Sequence, residues 1–235
     1  MNPLSKSGLK SKIIRVLYSE FLSYEYSPEK YKEFQSKLWD RESKNEWSGR
    51  GVYDFSSFEK LITMSTKSVA DLGCGNGHNL SVLQQKFPHI KTYGIDASAK
   101  MIELASKNSP STKFYKGFYG PDSDTFLPII DAIFIRSSLT YIDEYDIANV
   151  LNWIFSKAED YVIISDPSGK NDIKDNVHIK VLNNKTYLRK KGDQTHIRNY
   201  ELYIQELDLP FTLKEEFIDA NGGNYNWVFQ RNKVK

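Results

Sequence analysis

The sequence predicts an α/β fold, a doubly wound and mostly parallel sheet that is preceded by an N-terminal helical arm. From Ser68 onward, short apolar segments alternate with segments of helical periodicity, the pattern of a parallel sheet covered by helices on both faces. A glycine-rich turn joins the first of these strands to the helix that follows it. Before Ser68, apolar and aromatic residues recur at helical spacing. We therefore divide the chain into an arm, residues 1–64, and a core, residues 65–235.

The arm is predicted to consist of helices and a loop. Residues 5–37 carry apolar side chains at helical spacing, and Ser27 followed by Pro28 is typical of a helix start with Ser27 as the N-cap. Residues 45–52 are predicted to form a loop, and residues 55–64 a helix that leads into the first strand. The arm is rich in aromatic residues, among them Tyr24, Tyr26, Tyr31, Trp39 and Trp47.

The core is predicted to alternate strands with helices. The predicted strands are the segment that ends at Leu72 and residues 91–95, 113–115, 131–135 and 161–165. The predicted helices between them are residues 80–87, 98–107 and 143–157, with a loop or ragged helix over residues 121–127. We then expect a hairpin of residues 177–182 and 185–189, a helix over residues 196–207, and a terminal antiparallel pair, residues 211–218 and 225–230.

The first strand runs into a turn with three alternating glycines, in the sequence Asp71-Leu72-Gly73-Cys74-Gly75-Asn76-Gly77. Glycine lets the backbone turn sharply and approach a ligand without a clash from a Cβ atom. The helix after the turn directs its N-terminal amides and its dipole at whatever binds there. The spacing lacks the third glycine of the dinucleotide-binding fingerprint, and no Lys-Ser or Lys-Thr follows as in a P-loop. By itself, the turn is also compatible with a tight strand-to-helix connection that binds nothing.

The end of the second strand favours a ligand. This strand ends in Gly94-Ile95-Asp96, about 20 residues after the glycines. An acid at this place can accept hydrogen bonds from both hydroxyl groups of a ribose.

The two segments resemble the motifs of class I S-adenosylmethionine-dependent methyltransferases of the small-molecule type. Residues 71–77 are similar to that family's first motif and residues 94–98 to its second. The resemblance extends, less specifically, from Ser68 to the C-terminus. It implies a Rossmann-like seven-stranded sheet of order 3-2-1-4-5-7-6, with S-adenosyl-L-methionine as the cofactor. Two functions are open for the arm, because similar arms act as lids over cofactor and acceptor, whereas the alternative is an appendage packed on the sheet.

The resemblance also implies a cofactor site at the carboxyl ends of the strands, where open parallel sheets bind ligands. Asp71 would receive the cofactor's ammonium group, directly or through water, and Asp96 would hold the ribose hydroxyls. Ala97 and Met101 would line the adenine. The glycine turn would hold the methionine part and the ribose, through Gly73, Cys74, Gly75 and Gly77.

The adenine contact departs from the family pattern. Many relatives carry an acid after the third strand that binds the adenine amine. Here that loop is Lys116-Gly117-Phe118-Tyr119, which contains no acid. Backbone or aromatic contacts would have to take its place.

The loop after the fourth strand, residues 136–141, is expected to face both the sulfonium and the acceptor. Arg136 there is either a fork for an acceptor phosphate or carboxylate, or an ion-pair partner of Asp96 or Asp166. If the acceptor atom keeps its proton, a general base is needed, and the candidates are Tyr141, His178, His196 and Asp166. We expect the catalytic residues to be Arg136, Tyr141, His178 and His196, with Arg136 also contacting the cofactor. Asp166 alone does not make a metal site.

The composition is that of one domain with an appendage, with 235 residues, 40% of them hydrophobic, and a net charge of +2. We expect a cytoplasmic location, because the N-terminus lacks the apolar segment of a secretory signal and no apolar run is long enough to span a bilayer. The single cysteine, Cys74, has no internal disulfide partner, which fits a reducing compartment. We interpret Cys74 as a small residue packed under the cofactor rather than as a nucleophile.

The charge pattern gives no general argument for nucleic acid. Residues 169–198 hold eight Lys or Arg against three Asp, and this basic segment either steers an anionic acceptor or forms a solvated hairpin face. The chain lacks the Asn-Pro-Pro-Tyr and Asp-Pro-Pro-Tyr motifs of enzymes that methylate amines of nucleic-acid bases, and the Pro-Cys motif of cytosine C5 enzymes. We expect a monomer or a homodimer without a membrane partner.

The sequence therefore predicts an enzyme that transfers a methyl group to oxygen or nitrogen of a small, anionic metabolite of the phosphorylated or sugar-nucleotide type, with S-adenosyl-L-homocysteine as the second product. Two alternatives stay open. One is an RNA methyltransferase that uses the basic segment 170–198, and the other is a cofactor-binding partner subunit without catalytic activity.

Overall fold

The computed structural model describes residues 28–43, 59, 62–63, 65–121, 127–166, 179–181, 184–189, 196–218 and 224–233. Its helices are α1 (Pro28–Glu42), α2 (His78–Lys86), α3 (Ala99–Asn108), α4 (Ile147–Lys157) and α5 (Tyr200–Glu206), with a 3₁₀ turn over Leu139–Tyr141. The strands are β1 (Ser68–Leu72), β2 (Lys91–Asp96), β3 (Lys113–Lys116), β4 (Ile130–Arg136), β5 (Ala158–Asp166), β6 (Ile179–Val181), β7 (Thr186–Arg189), β8 (His196–Arg198), β9 (Phe211–Ile218) and β10 (Tyr225–Arg231). No helix in these ranges has both the length and the apolar character needed to cross a bilayer.

Several predictions for the arm fall outside the described residues. These are the helical pattern before Pro28, the loop over residues 45–52, most of the helix over residues 55–64, and the side chains of Tyr24, Tyr26, Tyr31 and Trp47. The predicted start of a helix at Pro28 is confirmed, since α1 begins there and continues to Glu42.

Seven of the described strands form one sheet in the order β3-β2-β1-β4-β5-β10-β9. The first five pair in parallel, and β10 is antiparallel to both β5 and β9. Within this sheet β9 and β10 are the sixth and seventh strands along the chain. The order is therefore 3-2-1-4-5-7-6, and the predicted Rossmann-like, doubly wound sheet is confirmed.

The central strand β1 is apolar on both faces because helices cover the sheet on both sides. Side chains alternate between the faces with a period of two. Ala70 and Leu72, both 0% exposed, belong to one core cluster with Leu151 of α4. Val69 belongs to the other cluster with Leu83 of α2. This burial fixes the register of β1 and therefore the place where the glycine turn begins.

The helix after β2 begins as predicted. Ser98 is the N-cap of α3, and its hydroxyl oxygen accepts a hydrogen bond of 3.1 Å from the backbone amide of Met101. Helix α4 begins later than the predicted Asp143. The Asp143 carboxylate instead accepts the backbone amide of Tyr145 at 3.0 Å, so residues 143–146 form a turn before the helix starts at Ile147.

A second, three-stranded sheet of order β6-β7-β8 follows β5 along the chain. The hairpin predicted across Asn183 and Asn184 is confirmed by the antiparallel pairing of β6 with β7. The helix predicted over residues 196–207 is wrong at its start, because His196–Arg198 pairs with β7 as strand β8. The helix begins only at Tyr200, after Asn199 caps it by accepting the backbone amide of Leu202.

The strand order reverses between β1 and β4, and this reversal places the site. Strand β1 pairs with β2 on one side and with β4 on the other. In an open parallel sheet the crevice at such a point, outside the carboxyl ends of the strands, is where ligands bind. The residues at this edge are Leu72, Asp96, Lys116, Arg136 and Asp166.

Candidate functional site

The glycine turn after β1 is folded against the end of β2. The backbone amides of Gly73 and Cys74 both donate to the carbonyl of Ile95, at 2.8 and 3.0 Å. Gly73, Gly75 and Gly77 have φ angles of +78°, +52° and +74°, a region that side chains with a Cβ atom rarely adopt.

The three glycines serve different purposes. A Cβ atom on Gly73 would lie 2.3 Å from the hydroxyl oxygen of Ser138, and one on Gly77 would lie 2.9 Å from Cβ of Ala105. Both positions are therefore needed for close packing. A Cβ atom on Gly75 would meet nothing within 4 Å. Gly75 borders open space, and it is here that a ligand can approach the backbone.

Asp96, the last residue of β2, contacts the glycine turn with one carboxylate oxygen and the N-cap of α3 with the other. Its Oδ2 accepts the backbone amide of Gly75 at 2.9 Å, and its Oδ1 accepts the amide of Ser98 at 2.8 Å. Burial raises the pKa of Asp96 to about 6, against the two amides, which lower it. A carboxylate oxygen has more than one acceptor site, so both oxygens can still accept ligand hydroxyls.

Asp71 is a buried acid at the start of the glycine turn. Its side chain is 2% exposed, and its Oδ2 accepts a hydrogen bond of 3.3 Å from the Asn79 side-chain amide. Burial raises the pKa of Asp71 to about 7; the Asn79 bond and the charge of Arg136 lower it, and the charge of Asp96 raises it. A cation bound beside Asp71 would stabilise the ionised form that burial disfavours.

Arg136 is the last residue of β4 rather than part of the loop that follows. Its Nη1 donates to the hydroxyl oxygen of Ser165 in β5 at 3.1 Å, and its charge lowers the pKa of Asp71. The guanidinium therefore lies at the carboxyl edge of the sheet, between the ends of β1 and β5. This location is compatible with both interpretations of Arg136, the anion fork and the structural ion pair.

The backbone after Arg136 is held in an unusual conformation. Ser137 has a φ angle of +49°. Its amide donates to the carbonyl of Ser165 at 2.8 Å, and its hydroxyl oxygen accepts the side-chain amide of Asn224 at 2.8 Å. Positive φ angles at residues other than glycine cost free energy and cluster at functional sites.

The next residue connects this loop to the turn after β3. The hydroxyl groups of Ser138 and Tyr119 lie 2.6 Å apart. Tyr119 is only 8% exposed. It lies at the end of the loop in which the adenine contact was expected, and its neighbour here is the loop after β4. Ser137 and Ser138 belong to the loop that was expected at this edge, but neither they nor Asn224 were predicted as individual site residues, because no local motif marks them.

Helix α1 lies across the same edge of the sheet. The ring of Trp39 packs edge-on against the ring of Tyr141, with centroids 5.2 Å apart and planes at 80°. The Ser36 hydroxyl donates to the carbonyl of Ala97 at 2.8 Å, and the Ser98 hydroxyl donates to Asp40 at 2.6 Å. Helix α1 therefore contacts both the loop after β2 and the loop after β4. Tyr141, a predicted catalytic residue, and Ala97, a predicted adenine contact, are both beneath it.

Besides Tyr141, two further predicted bases lie in the described residues, His196 and Asp166. Burial and the charge of Arg198 lower the pKa of His196 to about 4, so its imidazole is neutral at pH 7. Burial raises the pKa of Asp166 to about 7, against a hydrogen bond of 2.6 Å donated by the Tyr200 hydroxyl. The fourth, His178, lies outside the described residues.

Cys74 is packed rather than exposed. It is 6% exposed and belongs to the core cluster of Val69 and Leu83. Burial raises the pKa of its thiol, and the charges of Asp96 and Asp71 raise it further. The thiolate needed for nucleophilic attack is therefore disfavoured, and Cys74 is the small packed residue that was expected.

The basic segment is less available to anions than its sequence suggests. Arg198 is 1% exposed and forms an ion pair with Glu144. Lys185 forms an ion pair with Glu206. The side chains of the other six basic residues between 169 and 198 lie outside the described part of the chain. Arg198 cannot contribute to a surface field that steers an acceptor.

Residues 69–157 match a protein-family model described as a methyltransferase domain. Among curated proteins, trans-aconitate 2-methyltransferase from Escherichia coli is 37% identical over 82 residues, which cover 34% of this chain and 31% of that enzyme. The match therefore spans about a third of the length of this relative.

Solved structures share the fold over most of the chain. The N-methyltransferase NodS from Bradyrhizobium japonicum, in complex with S-adenosyl-L-homocysteine, superposes with a TM-score of 0.60 and 13% identity over 85% of this chain and 99% of NodS. Phosphoethanolamine N-methyltransferase 1 from Haemonchus contortus, in complex with phosphoethanolamine and S-adenosylhomocysteine, has a TM-score of 0.62 and 16% identity over 89% of this chain and 50% of its own. Together with the strand order and the glycine turn, the family match supports a methyltransferase domain over residues 69–157.

Proposed function

We propose that this protein transfers a methyl group from S-adenosyl-L-methionine to an oxygen or nitrogen atom of a small, anionic metabolite. The observation that carries the proposal is the open space beside the backbone of Gly75, in the turn that joins two acids. Asp71 is buried and Asp96 is half-buried. Bound there, the cofactor supplies a methyl group activated by its positively charged sulfur.

The residues at the edge fit each part of that cofactor. Asp71 holds the ammonium group, because a cation relieves the cost of its burial. Asp96 accepts the ribose hydroxyls, while its hydrogen bonds to Gly75 and Ser98 fix its orientation. The turn residues Gly73, Cys74 and Gly77 shape the backbone that lies under the methionine part. Ala97 and Met101 border the adenine.

Arg136 supports an anionic acceptor. It lies at the end of β4, beside the switch point where the sulfonium is expected. A guanidinium there repels a cationic acceptor and binds a phosphate or carboxylate with two parallel hydrogen bonds. The names of two similar proteins, trans-aconitate 2-methyltransferase and phosphoethanolamine N-methyltransferase, also refer to acceptors with anionic groups.

Methyl transfer from a sulfonium is an in-line displacement, and the positioning of the acceptor supplies much of the acceleration. Tyr141 and Trp39 pack together on the side of α1, where they would shield the acceptor from water. If the acceptor loses a proton, the neutral His196 or the Asp166 carboxyl is available in the described residues, with His178 as a further candidate.

The test has two stages. Isothermal titration with S-adenosyl-L-homocysteine measures whether the protein binds the cofactor product at all, and the absence of binding would refute the proposal. A screen of phosphorylated, carboxylated and sugar-nucleotide metabolites with methyl-labelled cofactor then measures transfer. Binding without transfer to any metabolite would favour the non-catalytic partner subunit, and transfer only to RNA would favour the alternative RNA methyltransferase.

A further inference from the structure

Arg198 of β8 is a fully buried cation outside the residues assigned to the cofactor. It is 1% exposed. Its Nη1 donates to the carbonyl of Leu139 at 2.9 Å, and its Nη2 donates to the carbonyl of Ile142 at 2.7 Å. These two carbonyls lie at either end of the 3₁₀ turn Leu139–Tyr141. A single guanidinium therefore spans the whole turn.

The charge of Arg198 is balanced by the carboxylate of Glu144. Glu144 Oε2 lies 3.4 Å from Nη2 of Arg198. The other oxygen, Oε1, accepts the hydroxyl groups of Tyr203 at 2.5 Å and Thr186 at 3.1 Å. The cluster thus draws on α5 and on two strands of the small sheet, and all of it converges on the segment that follows β4.

A third hydrogen bond attaches the turn to the same strand. The Thr140 hydroxyl donates to the backbone carbonyl of His196 at 2.9 Å. Thr140 is 2% exposed. Strand β8 therefore holds the turn at three points. Arg198 binds the carbonyls at its two ends, and the carbonyl of His196 accepts the hydroxyl of Thr140 within it. A buried ion pair is seldom the most stable choice for a core, whereas it can fix one geometry among several.

The turn presents Tyr141 to the site. Tyr141 packs against Trp39 of α1, and Ser138, immediately before the turn, contacts Tyr119. The turn also follows Arg136, the proposed acceptor fork, along the chain. A shift of the turn would move the contacts of the acceptor side while leaving Asp71 and Asp96 in place.

We propose that Arg198 is a positioning residue, which holds the turn 139–142 in the geometry that methyl transfer requires and so makes the β6-β7-β8 sheet part of the catalytic unit. The inference rests on the proposed function. Arg198 acts through the turn and touches neither cofactor nor acceptor. Because a misplacement of about 1 Å can cost about 100-fold in rate, a loosened turn should reduce transfer far more than it reduces cofactor binding.

The test compares Arg198→Met with Arg231→Met. Arg231 is a matched control, because it also donates to backbone carbonyls, those of Phe155 at 3.1 Å and Glu159 at 2.9 Å. These carbonyls lie at the end of α4 and the amino end of β5, away from the proposed site. Thr140→Val is a milder variant that keeps the side-chain shape and loses only the hydroxyl bond to His196.

The first measurement is hydrogen exchange of the free protein at the amides of Tyr141 and Ile142, which are bonded to Ser138 and Leu139 in the turn. We expect Arg198→Met, and to a smaller extent Thr140→Val, to accelerate exchange there, with β1 and β2 unchanged. Arg231→Met should leave the turn as protected as in the wild type. Equal protection in all three variants would overturn the inference.

The second measurement is kinetic, with an acceptor from the metabolite screen. We expect kcat of Arg198→Met to fall by about 100-fold, with the S-adenosyl-L-homocysteine affinity within a few fold of the wild type. Arg198→Lys keeps the charge beside Glu144 but cannot span both carbonyls, so it should restore thermal stability more than kcat. If kcat instead falls only with the folded fraction, Arg198 is a structural residue. If the wild type binds no S-adenosyl-L-homocysteine, the proposed function fails, while the exchange comparison still decides whether Arg198 holds the turn.

Discussion

The backbone amide of Gly75 donates a hydrogen bond of 2.9 Å to Oδ2 of Asp96, and this bond joins the glycine turn after β1 to the end of β2. The other oxygen of Asp96 accepts the amide of Ser98, which caps α3. One carboxylate therefore fixes the two backbone segments between which the proposed cofactor lies. The orientation of Asp96 is set before any ligand arrives, so its contribution to binding does not include the cost of ordering it.

We expect Asp96→Ala to weaken the binding of S-adenosyl-L-homocysteine by about 1.5–3 kcal/mol, the range for hydrogen bonds to charged groups. The loss combines the ribose contacts with the orientation of the turn. Isothermal titration measures it directly. Asp160→Ala, which removes an exposed acid near the start of β5, is the control and should bind normally. An unchanged affinity in Asp96→Ala would show that Asp96 does not hold the ribose.

The glycines of the turn should respond differently to substitution. Gly75→Val adds a side chain in open space, so we expect a folded protein that has lost cofactor binding. Gly77→Ala brings a Cβ atom to within 3.0 Å of the α3 backbone, so we expect it to lower the thermal stability instead. Strain from the positive φ angle, about 1–2 kcal/mol, is common to both. Thermal unfolding and titration on the same samples separate the two outcomes, and normal binding by a folded Gly75→Val protein would contradict the proposed location of the cofactor.

The features that were predicted correctly depend on neighbouring residues. The glycine turn, the Ser98 cap and the acid that ends β2 are each set by the chemistry of a few consecutive residues. Buried apolar strands alternate with helices along the sequence, and the right-handed connection of parallel strands leaves few possible orders for the sheet. The fold could therefore be inferred without contacts between distant residues.

The features that were missed depend on distant contacts. Residues 196–198 were predicted to be helical, but their pairing with β7 decides their structure. The ion pair of Arg198 with Glu144 joins residues 54 positions apart, and no local pattern distinguishes this arginine from the other basic residues of its segment. The contact of Tyr119 with Ser138 likewise appears only when the sheet brings two loops together.

Helix α1 provides a test of the lid hypothesis. An aromatic pair such as Trp39 with Tyr141 contributes about 0.5–1.5 kcal/mol beyond its buried area. If α1 closes over bound ligand, Trp39→Ala should accelerate the release of S-adenosyl-L-homocysteine by roughly two- to tenfold, which stopped-flow fluorescence can follow. Lys37→Ala is the control, because it removes an exposed ion pair with Glu33 on the same helix. An unchanged release rate in Trp39→Ala would make α1 an appendage.

The binding of the cofactor should release a proton near neutral pH. The free protein holds Asp71 with a pKa of about 7, so much of this carboxyl is protonated at pH 6.5. A bound ammonium group favours the ionised form and lowers that pKa. The affinity should therefore rise as the pH increases toward 7, and fall again above about 8, where an α-amino group loses its proton. Titration at pH 6.5 in buffers of different ionisation enthalpy measures the proton release.

The raised pKa of Asp71 also predicts how the stability of the free protein depends on pH. A raised pKa means that the neutral carboxyl is favoured in the folded state, and this stabilisation is lost as the pH rises through about 7. Asp71→Asn should consequently be more stable than the wild type at pH 8 and similar to it near pH 4. It should also bind the cofactor without releasing a proton. Equal proton release by both proteins would assign the titration to another group, such as Asp96, whose pKa is about 6.

Substitution of Arg136 tests whether the acceptor is anionic. Its guanidinium lies at the end of β4, held by Ser165 at 3.1 Å. If it binds an acceptor phosphate or carboxylate, Arg136→Ala should raise the acceptor KM or lower kcat, and leave the affinity for S-adenosyl-L-homocysteine nearly unchanged. Arg136→Lys keeps the charge but loses the planar fork, so transfer should still be impaired.

Ser165→Ala separates this function from a structural one. It removes the Ser165 hydroxyl that Nη1 of Arg136 binds while leaving the guanidinium in place, so an acceptor fork should lose little affinity for its ligand. If Arg136 is structural, we expect the opposite pattern. Arg136→Ala and Ser165→Ala should then both lower the unfolding temperature, and the folded fraction of each variant should retain normal kinetics. Steady-state kinetics over a range of acceptor concentrations, with thermal unfolding of the same preparations, distinguishes the two. The second result would leave the anionic acceptor without its main support, because Lys185 and Arg198 of the basic segment are already paired with Glu206 and Glu144.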